Sequence, residues 1–264
     1  MLVDDLLRRH GLAGPAALLP LQGKATAAWA TRDCVIKIPH EPYRDEVLTE
    51  VLVAPLALAA GVRTPTLLAW ARGPDLAYSV WTRVPGEPLD ERSDPSAWRD
   101  VGRALSRLHA IEACDDPRGL LDKPDKRNAR PWLHRLPTER ATFFAAWLDL
   151  LDRAGPGPKR LLHYDVHGLN ILCPPDGTTL IDWADAAWGD PAADLASAPM
   201  HEVPALLEGY EERGSLGPGG EGRIVRAAVG QAVRKLVVAG WSQPMDDLLA
   251  FFRDPPPRFR PWRP

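Results

Sequence analysis

The run HYDVHGLNIL, residues 163 to 172, sets two histidines, an aspartate and an asparagine between Leu161-Leu162 and Ile171-Leu172. Apolar flanks mark a buried strand or loop base, where a polar group without a partner costs on the order of 1–3 kcal/mol. So many polar side chains in such a place form either a satisfied internal network or a working site. The continuation NILCPPDGTTLID reads as a hairpin. Pro175-Asp176-Gly177 suits a type I turn with glycine in the left-handed position, and short apolar segments flank it. Hairpin ends at Pro174 and Thr178 set Asn170 opposite Asp182, both projecting from one face with Cβ atoms about 4.5–5.5 Å apart. One carboxylate and one amide oxygen, with room for water and phosphate, suit Mg2+ rather than a transition metal.

Asp165 precedes Asn170 by five positions, the separation seen in the catalytic loop of protein kinases. There the aspartate accepts the proton of the substrate hydroxyl, and the asparagine and a later aspartate hold Mg2+. Asp182 stands where that later aspartate is expected. The remaining partner is a lysine on an early strand, and CVIKIP supplies Lys37. Lysine occurs only at 24, 37, 123, 126, 159 and 235, which makes one on an apolar strand informative. Strand alternation puts Lys37 on a face with Val35, away from Ile36 and Ile38. It needs a counter-charge, and the helix that follows offers Glu46 and Glu50, one turn apart.

Plainer roles exist for several neighbours. His163 and His167 can be buried, satisfied histidines; Asp176 is a turn former; Asp190 and Asp194 can cap a helix after Pro191 or hold the loop. Trp183 and Trp188 read as packing. A metallohydrolase built on His163, Asp165 and His167 needs a further ligand, for which only Cys173 offers itself. A nucleotide-binding protein without catalysis is the other alternative, against which stands the full set of charged participants.

HYDVHGLNIL together with LIDWADAAWGDPAADLA resembles the aminoglycoside phosphotransferase and choline-kinase-like family. That family commonly shows His-Gly-Asp-Leu-His-Pro-Gly-Asn, then Ile-Asp-Trp, then Gly-Asp-Pro and Asp-Leu-Ala. VIKIP, RTPTLLAW, TRVPGEPL and LSRLHAI extend the resemblance over most of the chain to about residue 200. It implies an α+β, protein-kinase-like two-lobe fold: a small antiparallel-sheet N-lobe with one helix, and a larger, mainly helical C-lobe. It implies Asp165 as catalytic base or hydroxyl-orienting residue, Asn170 and Asp182 as magnesium ligands, and Lys37, paired with Glu50 in preference to Glu46, on the α- and β-phosphates of ATP. It further implies backbone groups of Thr82 and Val84 at the adenine edge, the loop near Gly23 over the phosphates, His163 bracing the loop and Asp194 tying it to the C-terminal lobe. The chain departs from the family pattern at Tyr164, Gly168 and Leu169, and has one glycine in PLQGKATAAW.

The elements that must position these residues read as follows. A short helix opens the chain; 28–31 and 34–38 are strands around an Arg32-Asp33 turn, and 44–60 is a helix that Pro55 must kink or divide, closed at Gly61. TLLAWA and LAYSVWTRV follow as strands. Residues 85–95 are turn-rich and polar, a linker between an N-terminal nucleotide-binding lobe at 1–84 and a helical C-terminal lobe at 96–264 that carries the catalytic loop and the substrate site. Helices are predicted from Pro95, with Trp98, Val101, Leu105 and Leu108 on one face, over 138–154 and over 223–238. The last residues, RDPPPRFRPWRP, read as an extended tail.

Composition bounds the partners. A net charge of −3 and a pI near 6.2 give no reason to expect nucleic acid or an anionic membrane. Three scattered cysteines favour reduced thiols in a cytosolic protein. The N-terminus lacks the apolar core of a signal peptide, and VLVAPLALAAGV is too short for a membrane span. The expected activity is ATP- and Mg2+-dependent phosphoryl transfer to a hydroxylated small molecule, with an aminoglycoside-type acceptor first and choline, ethanolamine, a sugar or a macrolide as alternatives. Glu202, Glu208, Glu211, Glu212, Asp246 and Asp247 would suit a cationic acceptor if they line the site; as a set they read more simply as a solvated helix face.

Overall fold

The computed structural model describes residues 2–12, 14–19, 25–89 and 95–264. Helix α1 (Leu2–Arg9) leads into strands β1 (Ala17–Leu18), β2 (Thr26–Ala30) and β3 (Cys34–Pro39), helix α2 (Glu46–Ala59), and strands β4 (Leu67–Arg72), β5 (Ala77–Thr82) and β6 (Glu87–Pro88). Helices α3 (Pro95–Leu108) and α4 (Thr138–Leu151) follow, then β7 (Arg160–Leu162), β8 (Ile171–Cys173), β9 (Thr179–Leu180) and β10 (Ala187–Gly189). Helices α5 (Ala192–Leu195), α6 (Val203–Glu211), α7 (Gly220–Ala239) and α8 (Gln243–Phe251) complete the chain.

The chain divides into two compact units, Met1–Leu89 with Leu169–Ala186, and Asp90–Gly168 with Ala187–Pro264. The hairpin segment 169–186 thus packs with the N-terminal residues, although it lies far beyond the 85–95 linker in sequence.

In the first unit five antiparallel strands run in the order β1-β2-β3-β5-β4. Alternation along β3 explains its two faces. Cys34 and Ile36 join Tyr78, Val80 and the α1 leucines Leu6 and Leu7 in one buried apolar cluster. Lys37 points the other way and stands in register with Ala28 on β2 and Ser79 on β5. Helix α2 buries a stripe of Val47, Glu50, Ala54 and Ala57. Pro55 lies on its exposed side, and α2 runs through it undivided. Gly61, at φ +82°, ends the helix as expected, with Val62 N–H donating to the Ala57 carbonyl at 2.9 Å. Strands β6, β8 and β9 form a second small sheet. Gly86, at φ +110°, passes so close to it that a Cβ would sit 2.7 Å from the Cys173 carbonyl carbon. Only glycine allows that approach.

In the second unit the apolar stripe of α3, Trp98, Val101, Leu105 and Leu108, is buried as its spacing predicts. Helices α3 and α6 cross at two glycines: a Cβ on Gly102 would lie 2.0 Å from the Leu206 carbonyl oxygen, and one on Gly209 2.0 Å from that of Arg99. The proline-dense C-terminus is not an extended tail. It forms a 3-10 helix over Pro257–Trp262 in which Phe259 is fully buried against Phe251, and Trp147 Nε1 donates to the Trp262 carbonyl at 2.9 Å. Burial of the Phe259 ring, with Trp262 half-buried beside it, outweighs the preference of a proline-rich sequence for extended, solvated backbone. Among the described residues no helix is long and apolar enough to cross a membrane.

Candidate active site

In the first unit Lys37 is the centre of a three-charge cluster. Its Nζ lies 2.5 Å from Glu50 Oε1 and 2.8 Å from Asp182 Oδ1. Glu50 is the expected counter-charge, at one α-helical turn from Glu46, which borders the same small recess. Ser79, beside Lys37 on the sheet, donates from Oγ to Glu50 Oε2 at 3.3 Å. Burial disfavours the lysine's charge, but Asp182 and then Glu50 outweigh it and raise its pKa. Burial also raises the Glu50 carboxyl, with Lys37 opposing and Asp182 reinforcing that shift. Two carboxylates share one ammonium, which keeps Lys37 charged; at Glu50 burial is the main cause and the second carboxylate adds to it.

Asp182 reaches Lys37 by a route the strand pattern did not anticipate. The turn is a four-residue one, closed by Gly177 N–H to the Pro174 carbonyl at 3.1 Å. The ladder therefore pairs Ile171 with Leu180 and Leu172 with Thr179, and Ile181 N–H donates to the Asn170 carbonyl at 3.0 Å. Asn170 stands opposite Ile181, one residue short of the expected register with Asp182. Direct opposition of Asn170 and Asp182 is thereby overturned, because the turn takes up one residue more than the Pro-Asp-Gly signal suggested. Asp182 instead adopts a left-handed backbone, φ +66°, which ends the strand and re-aims its carboxylate. Asn170 closes a 3-10 turn and is buried, while the Asp182 side chain is 45% exposed.

The donor chemistry of Asn170 and Asp182, an amide and a carboxylate oxygen beside net negative charge, fits a hard divalent cation such as Mg2+. Among the described residues no three His, Cys, Asp or Glu side chains cluster as a metal site of their own. Thr82 commits its N–H to the Thr66 carbonyl, and its hydroxyl accepts from Thr66 N–H, both at 2.9 Å. Val84 is half-buried beyond the end of β5. Gly23 lies outside the described residues.

In the second unit a buried brace holds the backbone just before Asp165. The fully buried Asp194 accepts from the backbone N–H groups of His163 (2.8 Å) and Tyr164 (2.6 Å), and His109 Nε2 lies 3.0 Å from its Oδ2. Burial alone would raise the Asp194 pKa; His109, His163 and the amide bonds outweigh it and lower it. Asp190 accepts from Ala192 N–H at 3.0 Å and lies 2.8 Å from Arg223, holding α5 rather than the 163–165 loop. His163 is buried, and its Nδ1 accepts from Asp165 N–H at 3.4 Å. His167 is not buried: its side chain is as exposed as that of Asp165, and its Nε2 lies 3.3 Å from Asp165 Oδ2. Burial pushes Asp165 up, but the His167 bond and charge, then His163 and Arg127, hold its pKa at about 2.

Two residues central to this region were missed in the sequence. Tyr164 has a left-handed backbone, φ +68°, where the family commonly has glycine. That substitution was the available signal, and hydrogen bonding compensates it. The Tyr164 hydroxyl donates to Asp125 at 2.6 Å and accepts from Lys126 N–H at 2.9 Å, and the Tyr164 carbonyl accepts from Arg127 Nη2 at 3.1 Å. Arg127 is itself buried; it donates to Ser197 Oγ (2.7 Å) and Gln231 Oε1 (2.6 Å). Nothing in KPDKRNAR distinguishes it from a surface arginine. The acids of α6 are taken up locally: Glu208 pairs with Arg99 and Glu212 with Arg103 at 2.7 Å, and Glu211 with Arg258 at 2.6 Å.

Comparison with known proteins shows the family and the fold. The profile of a family described as the phosphotransferase enzyme family matches residues 24–224. A choline/ethanolamine kinase family protein from Mesorhizobium loti has a similar fold, with TM-score 0.64 at 18% identity over 99% of this chain and 98% of that one. So does a spectinomycin phosphotransferase in complex with ADP and spectinomycin, with TM-score 0.66 at 15% identity over 99% and 92%. A thiamine kinase of Salmonella paratyphi B is 43% identical over 72 residues, 26% of each chain, so that the match spans about a quarter of that relative. The fold is protein-kinase-like, and the chain belongs to the phosphotransferase enzyme family.

Proposed function

We propose that the protein is an ATP- and Mg2+-dependent kinase that moves the γ-phosphoryl group of ATP to a hydroxyl of a small molecule. The observation that carries this reading is Lys37 held between Glu50 and Asp182, a cation on an otherwise apolar strand aimed by two carboxylates. Lys37 binds the α- and β-phosphates, and Glu50 keeps it protonated and directed. Asn170 and Asp182 would hold magnesium, which when bound neutralises charge on the phosphates. Thr82 and Val84 meet the adenine edge, Thr82 through its carbonyl because its amide is already committed.

Asp165 orients the acceptor hydroxyl and takes its proton as the oxygen bonds to the γ-phosphorus and the bond to the β–γ bridging oxygen breaks, releasing ADP. A carboxylate with a pKa of about 2 is a weak base. It suits a loose transition state, in which the proton leaves late and positioning matters more than basicity. The Asp194 brace and Arg127 hold the peptide units that aim Asp165. An acid-lined pocket for an aminoglycoside draws no support from α6, whose glutamates are paired with arginines; choline-like, sugar and macrolide acceptors are tested beside it.

The test is ADP release over a panel of hydroxylated small molecules, with transfer to the acceptor followed by mass. Asp165→Asn should lower kcat by about two to four orders of magnitude, the usual worth of a general base, with nucleotide affinity kept. Near-wild-type turnover in that variant removes Asp165 from the reaction. ATP binding with no ADP release from any acceptor would instead favour a nucleotide-binding protein without catalysis.

A further inference from the structure

The second unit holds a cavity of about 380 Å3 whose wall includes the buried Arg127 and Tyr164 and the half-buried Trp188. Four arginines border it, Arg127, Arg130, Arg223 and Arg226, against three aspartates, Asp125, Asp152 and Asp190. Three of the arginines are matched: Arg223 lies 2.8 Å from Asp190, while Arg130 and Arg226 share Asp152 at 2.5 and 3.8 Å. Asp125 is occupied by neutral donors, the Tyr164 hydroxyl and the Arg127 amide.

Arg127 differs from the rest. It is 7% exposed, its bonded acceptors are the neutral oxygens of Tyr164, Ser197 and Gln231, and its Nε has no hydrogen-bond partner. The nearby carboxylates that offset its charge, Asp194 and Asp165, are engaged by His109, by backbone amides and by His167. Arg234 and Lys235 add further positive charge around it. A buried guanidinium without a bonded carboxylate is costly unless a ligand completes it, and its planar fork matches an oxyanion.

We propose that this cavity is an anion subsite in which Arg127 receives a carboxylate or phosphate group carried by the acceptor. The acceptor is then a hydroxylated anion, such as a hydroxy acid or a sugar phosphate, rather than a polycation. The word acceptor rests on the phosphotransferase reading; the oxyanion site rests on binding alone. Because the Arg127 Nη2 bond to the Tyr164 carbonyl bears on the peptide preceding Asp165, occupancy of the cavity also steadies the catalytic carboxylate.

Calorimetric titration of the full chain without nucleotide tests it, with inorganic phosphate, glycerate, glucose 6-phosphate, uncharged glucose and kanamycin as probes. A hydroxylated anion should bind at least tenfold more tightly than glucose and kanamycin. Arg127→Gln should weaken it roughly ten- to a hundredfold, the worth of a charged hydrogen bond. The exposed Asn128 on the cavity rim gives a second variant that keeps the shape: Asn128→Asp adds a negative charge and should weaken anion binding roughly fivefold. It decides the matter if Arg127→Gln does not fold. No preference for anions over glucose, or a preference unchanged in Asn128→Asp, overturns the subsite. Free phosphate bound as tightly as the hydroxylated anions overturns its assignment to the acceptor. Anion binding lost in the variants, together with ATP binding but no ADP release over the acceptor panel, would refute the kinase reading and leave the subsite standing.

Discussion

Replacing Lys37 with methionine tests the charge cluster directly. Methionine keeps the length of the side chain and removes the ammonium, leaving Glu50, with a side chain only 6% exposed, without its cation. At 2.5 Å and an effective dielectric of about 20 the gross Lys37–Glu50 attraction is roughly 7 kcal/mol, most of it cancelled by desolvation of several kcal/mol per ion. The net worth of the pair is therefore modest, but the cost of breaking it is not. In the variant Glu50 escapes by protonating, and this sets an upper bound. With an unfolded pKa near 4.3, taking up a proton at pH 7 costs at most about 3.7 kcal/mol, and at pH 5 about 1 kcal/mol. Burial raises the folded pKa of Glu50. The variant's stability is thus fullest below the unfolded pKa and falls as pH rises towards the folded one.

Urea unfolding of the nucleotide-free protein should then show a deficit of up to about 3.7 kcal/mol at pH 7 that shrinks to at most about 1 kcal/mol at pH 5. Adding Glu50→Gln should recover most of the loss at pH 7, because no buried charge remains. A deficit below about 1 kcal/mol at pH 7, or one equal at both pH values, would mean that Glu50 is not held ionised by Lys37.

Three further perturbations follow from the same structure. Asp194→Ala strips two backbone amides and His109 of their acceptor in a fully buried place, and should cost about 3–5 kcal/mol by denaturant unfolding and reduce turnover more than nucleotide affinity. Gly209→Ala drives a methyl group into the Arg99 carbonyl and should cost several kcal/mol, read as a drop in melting temperature, whereas Gly119→Ala, which meets nothing nearby, should cost only the strain of its φ of +64°. Asp165, with a pKa lowered to about 2, contributes stability that is present above the ordinary carboxylate pKa near 4 and is lost as pH falls towards 2. Asp165→Asn should therefore be the less stable protein at pH 6 and converge with wild type near pH 2, and the wild-type kcat should show no acid limb from this residue above about pH 4.

How much of this was readable beforehand depends on the distance over which each feature is decided. The β3 alternation, the α2 helix with its Gly61 end and the α3 face were readable, because period and caps are local properties, whereas the break expected at Pro55 did not occur. The joint motif from Lys37 to Asp194 identified the family for a related reason: order and spacing along the chain survive translation into a fold. The hairpin failed by one residue, since its register depends on which backbone groups close the turn at Pro174 and Gly177, and several closures suit the same residues. The C-terminal prolines misled because Trp262 meets partners far away in sequence: its carbonyl accepts from Trp147 on α4, and its ring lies against Gly222 on α7.

Sequence alone therefore determined the chemical inventory: one lysine on an apolar strand, the spaced Asp165, Asn170 and Asp182, and Asp194 beyond them. Tertiary structure decided which carboxylate Lys37 takes from α2, how a left-handed Asp182 reaches it, and that Arg127 is a buried cation. The division has a physical cause. Residue type and periodicity are carried by neighbours in the chain, whereas the free energy of a charge is set by burial and by partners brought in from distant segments, such as the 145 residues between Lys37 and Asp182.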